Sequence, residues 1–97
     1  MREFMLKLND GDGFLVPVSR YPEILRPASI PSERAEGWGS HRIRIEDFEV
    51  SFSDEDFGFQ VVFESDSISG QRAEQIMDDI CENIRATTGA TTDVVPL

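Results

Sequence analysis

The chain has 97 residues, about the modal size of one domain, and its composition is that of a globular protein: 39% hydrophobic with seven Phe, 29% charged, mean hydropathy −0.30. Nine basic against nineteen acidic residues give a net charge of −10, which argues against direct binding to nucleic acid or to an anionic membrane. The single Cys81 excludes an intrachain disulfide, and with no apolar run of signal-peptide or membrane-span length the expected location is cytoplasmic.

The first element in chain order is an expected β-hairpin. Residues 3–8 ("EFMLKL") and 14–19 ("FLVPVS") are apolar-rich runs joined by "NDGDG", a cluster of turn formers. Pro17 cannot donate to a ladder, so the second strand is expected at an edge, or to present that position outward. Residues 20–40 hold three Pro and two Gly in 21 positions and keep neither period, so they read as a long irregular connection. Within it, Pro31 and Gly37 bracket one expected helical turn over Ser32–Glu36. The same segment carries Tyr21, Ile24, Leu25, Ile30 and Trp38, residue types that tie a loop to its domain or dock a partner.

From His41 the alternation is clean: Ile43 and Ile45 on one parity, then Phe48, Val50 and Phe52 on the other. A β-bulge at Glu46-Asp47 accounts for the slip by returning the apolar side chains to one face. Phe59, Val61 and Phe63 continue the pattern after the turn "DEDFG", which makes two paired strands. Ala73, Ile76, Met77, Ile80, Cys81 and Ile84 then mark one face of a helix, with Ser69 as its N-cap, Ile68 and Ala73 as a staple and Gly89 as its C-terminal stop. A short last strand follows in "TTDVVPL". The order β-β-loop-β-β-α-β predicts a single α+β domain of two layers, with an antiparallel-rich sheet of about five strands and one long amphipathic helix on one face.

Several motifs suggest chemistry and then lose it on context. Asp56-Phe57-Gly58 matches a kinase tripeptide, but the Lys and catalytic-loop elements that give it meaning are absent. Asp10 and Asp12 resemble the start of a calcium loop whose first and closing ligands fall on Leu8 and Ser19, so the cage fails. Asp54, Glu55 and Asp56 stand on consecutive turn positions that splay apart, which suits a solvated turn better than a cation site. Cys81 sits on the apolar helical face as a core thiol, and His41 reads as a solvated strand-end residue beside Arg42 and Arg44. Ser69, Gly70, Gln71 and Arg72 offer an anion site at the helix start, and a plain cap explains the same residues. No metal or cofactor is expected.

Charge is the most informative pattern. Residues 1–45 hold seven basic and six acidic groups, a balance of +1, and residues 46–97 hold two basic and thirteen acidic groups, −11. Glu74, Asp78 and Glu82 repeat at i, i+4 on the outer helix face with Asp79 alongside, a spacing at which like charges repel. With Asp54, Glu55 and Asp56 they are the expected partner-binding residues of a small acidic, non-catalytic protein, an inhibitor or antidote that blocks a basic surface of a partner protein, a nucleic-acid-binding surface among the candidates. One alternative is a structural or adaptor subunit docking through the 20–40 loop. Another is a small-molecule binder or enzyme using His41, Arg42 and Arg44 or the helix N-terminus. A homodimer through an edge strand, near Pro17 or at residues 91–97, is also open.

Overall fold

The computed structural model describes residues 1–9, 17–55 and 58–97. The chain passes through β1 (Arg2–Asn9), a 3-10 turn (Val18–Arg20), α1 (Tyr21–Ile24), β2 (Glu33–Arg34), β3 (His41–Ile45), β4 (Phe48–Glu55), β5 (Gly58–Glu64), α2 (Gly70–Thr88) and β6 (Thr91–Pro96). The strands form one six-stranded sheet in the order β2-β3-β4-β5-β1-β6, with every neighbouring pair antiparallel. This is the expected α+β two-layer fold, with six strands rather than about five.

Period-two alternation explains which sheet face is covered. Phe4, Leu6, Ile43, Ile45, Val50, Phe52, Phe59, Val61 and Phe63 are buried on one face, and α2 lays Ala73, Ile76, Met77, Ile80 and Ile84 against them. Phe4 meets Phe63 edge-on at 5.6 Å between ring centres, and Phe52 meets Phe59 in the same way at 6.4 Å. Each fully buried side chain of this size stabilises the fold by roughly 1.5–3 kcal/mol over an exposed one, so the apolar seam dominates the helix–sheet contact. The helix is bounded as its sequence requires. Ser69 Oγ accepts from the Arg72 N–H at 3.0 Å, and Gly89, at φ 80°, donates its N–H to the Arg85 carbonyl at 2.9 Å.

Several local expectations are overturned. β1 does not pair with the segment after it: β5 flanks it on one side and β6 on the other, which leaves no side for a hairpin partner. Pro17 leads into the 3-10 turn instead of lying in an edge strand, while residues 10–16, with most of the "NDGDG" turn, lie outside the described residues. Ser32–Glu36 contains β2, paired with Ile43 and Arg44 of β3, and not a helical turn. The helical turns of the loop come earlier, at residues 18–24.

Glu46 and Asp47 are a two-residue hairpin connection and not a bulge, because Ile45 pairs directly with Phe48. Glu46 takes φ 55° to close it. The strands β4 and β5 pair as predicted, with Phe52 opposite Val61 at the middle of the sheet.

Gly58 is needed where β5 begins, since a Cβ there would meet the Leu6 backbone carbonyl oxygen at 1.9 Å. A backbone atom in the adjacent strand cannot swing away as a side-chain tip can. Gly58→Ala is therefore expected to destabilise by at least about 1–3 kcal/mol in urea unfolding. Gly89→Ala, where nothing lies within 4 Å but φ is positive, should cost only about 1 kcal/mol.

Candidate functional site

Successive helix residues are rotated by about 100°, so Asp79 points to a different side of the helix from Glu74 and Asp78. The structure uses the two flanks differently. On one, the Asp79 carboxylate accepts the Ser29 N–H at 3.0 Å, the Ile30 N–H at 2.9 Å and the Ser29 hydroxyl at 3.1 Å. One turn further on, Asn83 donates to the Glu23 and Ile24 carbonyls at 2.9 and 3.0 Å. Burial works to raise the Asp79 pKa, and the hydrogen bonds from Ser29 and Ile30 outweigh it and hold the carboxyl below its ordinary range. Asp79 thus binds the molecule's own loop.

On the other flank Glu74, Asp78 and Glu82 are exposed and run beside β6. Arg85 pairs with Glu82, whereas Arg72 turns away to Glu46 at 2.8 Å. Among the described residues Glu74 and Asp78 have no cationic partner. Between this flank and β6 lies a groove of about 290 Å³ lined by Asp78, Cys81, Glu82, Arg85, Thr91 and Thr92. Sequence reasoning missed it. It places Cys81 at the edge of the core instead of inside it; there burial, more than the opposing hydrogen bond from Thr92, pushes the thiol pKa up and keeps it a poor nucleophile.

The acidic turn divides as well. Asp54 accepts the Tyr21 hydroxyl at 2.7 Å, and burial together with that bond pushes the Tyr21 pKa up to about 12. Glu55 is exposed at the end of β4, and Asp56 lies outside the described residues. Among the described residues, Asp54 is engaged by Tyr21 and Asp79 by the loop, so the expected residues are not all free to form one surface.

The loop anchors are mostly interior. Tyr21, Ile24 and Leu25 are buried in the core and unavailable to a partner, while Ile30 packs against it. Trp38 is the exception, 59% exposed on the uncovered sheet face with the Arg42 guanidinium 5.3 Å from its ring centre. Arg42 is itself buried and pairs with Glu49 at 3.0 Å and Glu64 at 2.6 Å, so Trp38 caps an internal ion pair network.

His41, Arg42 and Arg44 do not converge. Adjacent strand residues face opposite ways, which sends His41 under α1 and both Arg side chains to the other face. Far from being a solvated strand end, His41 is buried between Tyr21 and Phe52, with its Nε2 unpaired among the described residues. It lines a cleft of about 200 Å³ with Tyr21, Ser40 and Arg34. Burial, and then the Arg34 charge, lower its pKa and keep the ring neutral at pH 7. At the helix start, the Ser69 cap and the turned-away Arg72 leave the anion-site residues engaged in structure. No group of three metal-ligating side chains converges among the described residues. None of their helices is long and apolar enough to cross a membrane.

No family model, curated protein or solved structure matches the chain.

Two measurements check these assignments. Because the folded His41 binds a proton less readily than the unfolded ring, stability rises with pH up to about 6.5 and falls below it. Urea unfolding should show that decline between about pH 7 and 5.5, and His41→Phe, which removes the chain's only His, should flatten it. Asp79→Ala should lower stability by about 1–2 kcal/mol through the loss of the loop's hydrogen bonds.

Proposed function

We propose that the protein is a non-catalytic cytoplasmic binding protein, of the inhibitor or antidote kind, that occupies a cationic surface of a partner protein with the β6-side flank of α2. The supporting observation is the division of the helix: Asp79 is spent on the loop, while Glu74 and Asp78 stand exposed one turn apart and, among the described residues, in no ion pair, Arg2 and Arg85 lining the neighbouring clefts without bonding them. Like charges at this spacing cost a few tenths of a kcal/mol per pair, and Lys at either position would relieve the repulsion. A complementary positive surface relieves it too. The repulsion is then exchanged for attraction on binding, and the −11 balance of residues 46–97 steers the encounter from a distance.

The acidic turn at Asp54 and Glu55 plays a lesser part, because Asp54 already serves Tyr21. An adaptor role through the 20–40 loop is less well supported, since its apolar anchors other than Trp38 face inward.

The test is binding to an immobilised lysine-rich polypeptide, followed by salt titration. The triple variant Glu74→Lys, Asp78→Lys, Glu82→Lys is expected to lose binding at least tenfold and to flatten its salt dependence, while Asp79→Ala binds normally despite its lower stability. Equal binding by the triple variant and the natural chain would defeat the proposal.

A further inference from the structure

The outer edge of β6 has backbone groups to offer. The Leu97 N–H bonds the Glu3 carbonyl at 2.9 Å, and Phe4 stands opposite Pro96. In an antiparallel ladder the direction of the backbone groups alternates, so residues 91, 93, 95 and 97 turn toward β1. Thr92, Val94 and Pro96 therefore turn outward. Pro96 lacks only the N–H that would have pointed away from the sheet, the position at which a strand tolerates proline. Among the described residues no strand lies beyond β6, so the N–H groups of Thr92 and Val94 and the carbonyls of all three are open to a further strand.

The flank above this edge has a matching repeat. α2 runs antiparallel to β6: Glu74 shares a cleft with Pro96 and Leu97, and Asp78 and Glu82 share the groove with Thr91 and Thr92. Carboxylates at i, i+4, i+8 of a helix are spaced by about 6 Å along its axis. Side chains on one face of a strand recur every ~6.6 Å. A strand added at β6 would thus bring every second side chain past one carboxylate of the row.

We infer that the β6 edge and the Glu74–Asp78–Glu82 row form a strand-addition site for an extended segment of a partner protein with Lys or Arg at alternate positions. Backbone bonds to Thr92 and Val94 supply affinity, and the carboxylate row selects for the cations. This rests on the cationic-partner reading above and specifies how the partner is held. Charge also argues against a second copy in that place. Two chains paired edge to edge through β6 would set their acidic rows side by side, at a net charge of −10 each.

The probe is a synthetic peptide of about eight residues alternating Lys and Val, long enough to span β6. Amide hydrogen exchange in the natural chain is expected to slow at least tenfold at Thr92 and Val94 on adding the peptide, with no comparable change at Asp93 and Val95. Val94→Pro removes an outward donor and also changes a side chain packed at the edge of the core, so its fold is checked by unfolding first; folded, it should bind the peptide about tenfold more weakly. If the peptide binds and the triple charge reversal abolishes binding while the Thr92 and Val94 amides exchange as before, strand addition is wrong and the acidic-surface reading survives. If charge reversal leaves peptide binding unchanged, both are wrong. Slow exchange at Thr92 and Val94 in a concentration-dependent dimer without peptide would assign the edge to a second copy and overturn the inference.

Discussion

Asp79 and Asn83, one turn apart on α2, supply the hydrogen bonds that the segment between the 3-10 turn and β2 cannot make to itself. An irregular segment has no ladder in which to satisfy its backbone, and buried N–H or C=O groups without partners cost about as much as lost hydrogen bonds. One carboxylate takes two N–H groups near the loop's middle, and one amide takes two carbonyls at the end of α1. The Ala28 N–H adds a third donor to the helix by bonding the Asp79 carbonyl at 3.1 Å. Held this way, the loop is the second member of the helical layer. It brings Tyr21, Ile24 and Leu25 onto the part of the sheet that α2 does not reach.

The same arrangement explains why acidic charge collects on the opposite flank. One side of α2 is committed to the loop through Asp79 and Asn83, and the exposed acids Glu74, Asp78 and Glu82 run from the β6 side onto the solvent-facing back of the helix. The open sheet face follows a different principle. Its charges are paired across strands, with Arg42 between Glu49 and Glu64 and Trp38 above, so its field is largely cancelled locally. The two faces thus differ in kind: paired and capped on one, and on the other, among the described residues, paired only at Glu82 beside the sheet edge.

Where local period decides structure, the amino-acid order was legible. α2, its two caps, and the pairing of β4 with β5 follow from spacing alone. The failures share a cause, which is that the deciding partner lies far away in the chain. Residues 3–8 looked like half of a hairpin because turn formers follow them, but the strands that claim them are β5 and β6. Glu46-Asp47 was ambiguous in principle, since a bulge and a two-residue turn both restore the apolar face; only the pairing of Ile45 with Phe48 separates them. Tyr21, Ile24 and Leu25 obey no long period because α1 has only four residues, so their burial was invisible. At the candidate site the exposed carboxylates were readable from the helix period. Asp79's commitment to Ser29, fifty residues away, was not.

The position of β1 has a consequence for how the chain reaches this state. Its partners Phe63 to Gly58 and Pro96 to Thr91 are roughly 50 to 90 residues distant, and closing such loops is entropically slow compared with forming α2 or the β4–β5 hairpin. During synthesis β1 waits beside a growing chain with Phe4 and Leu6 uncovered, and docking on β5 still leaves its other edge bare. Only when residues 91–96 emerge is that edge closed. The emergence of β6 therefore ends the period in which that edge of β1 is bare, and the open edge passes from β1 to β6, where acidic side chains stand beside it.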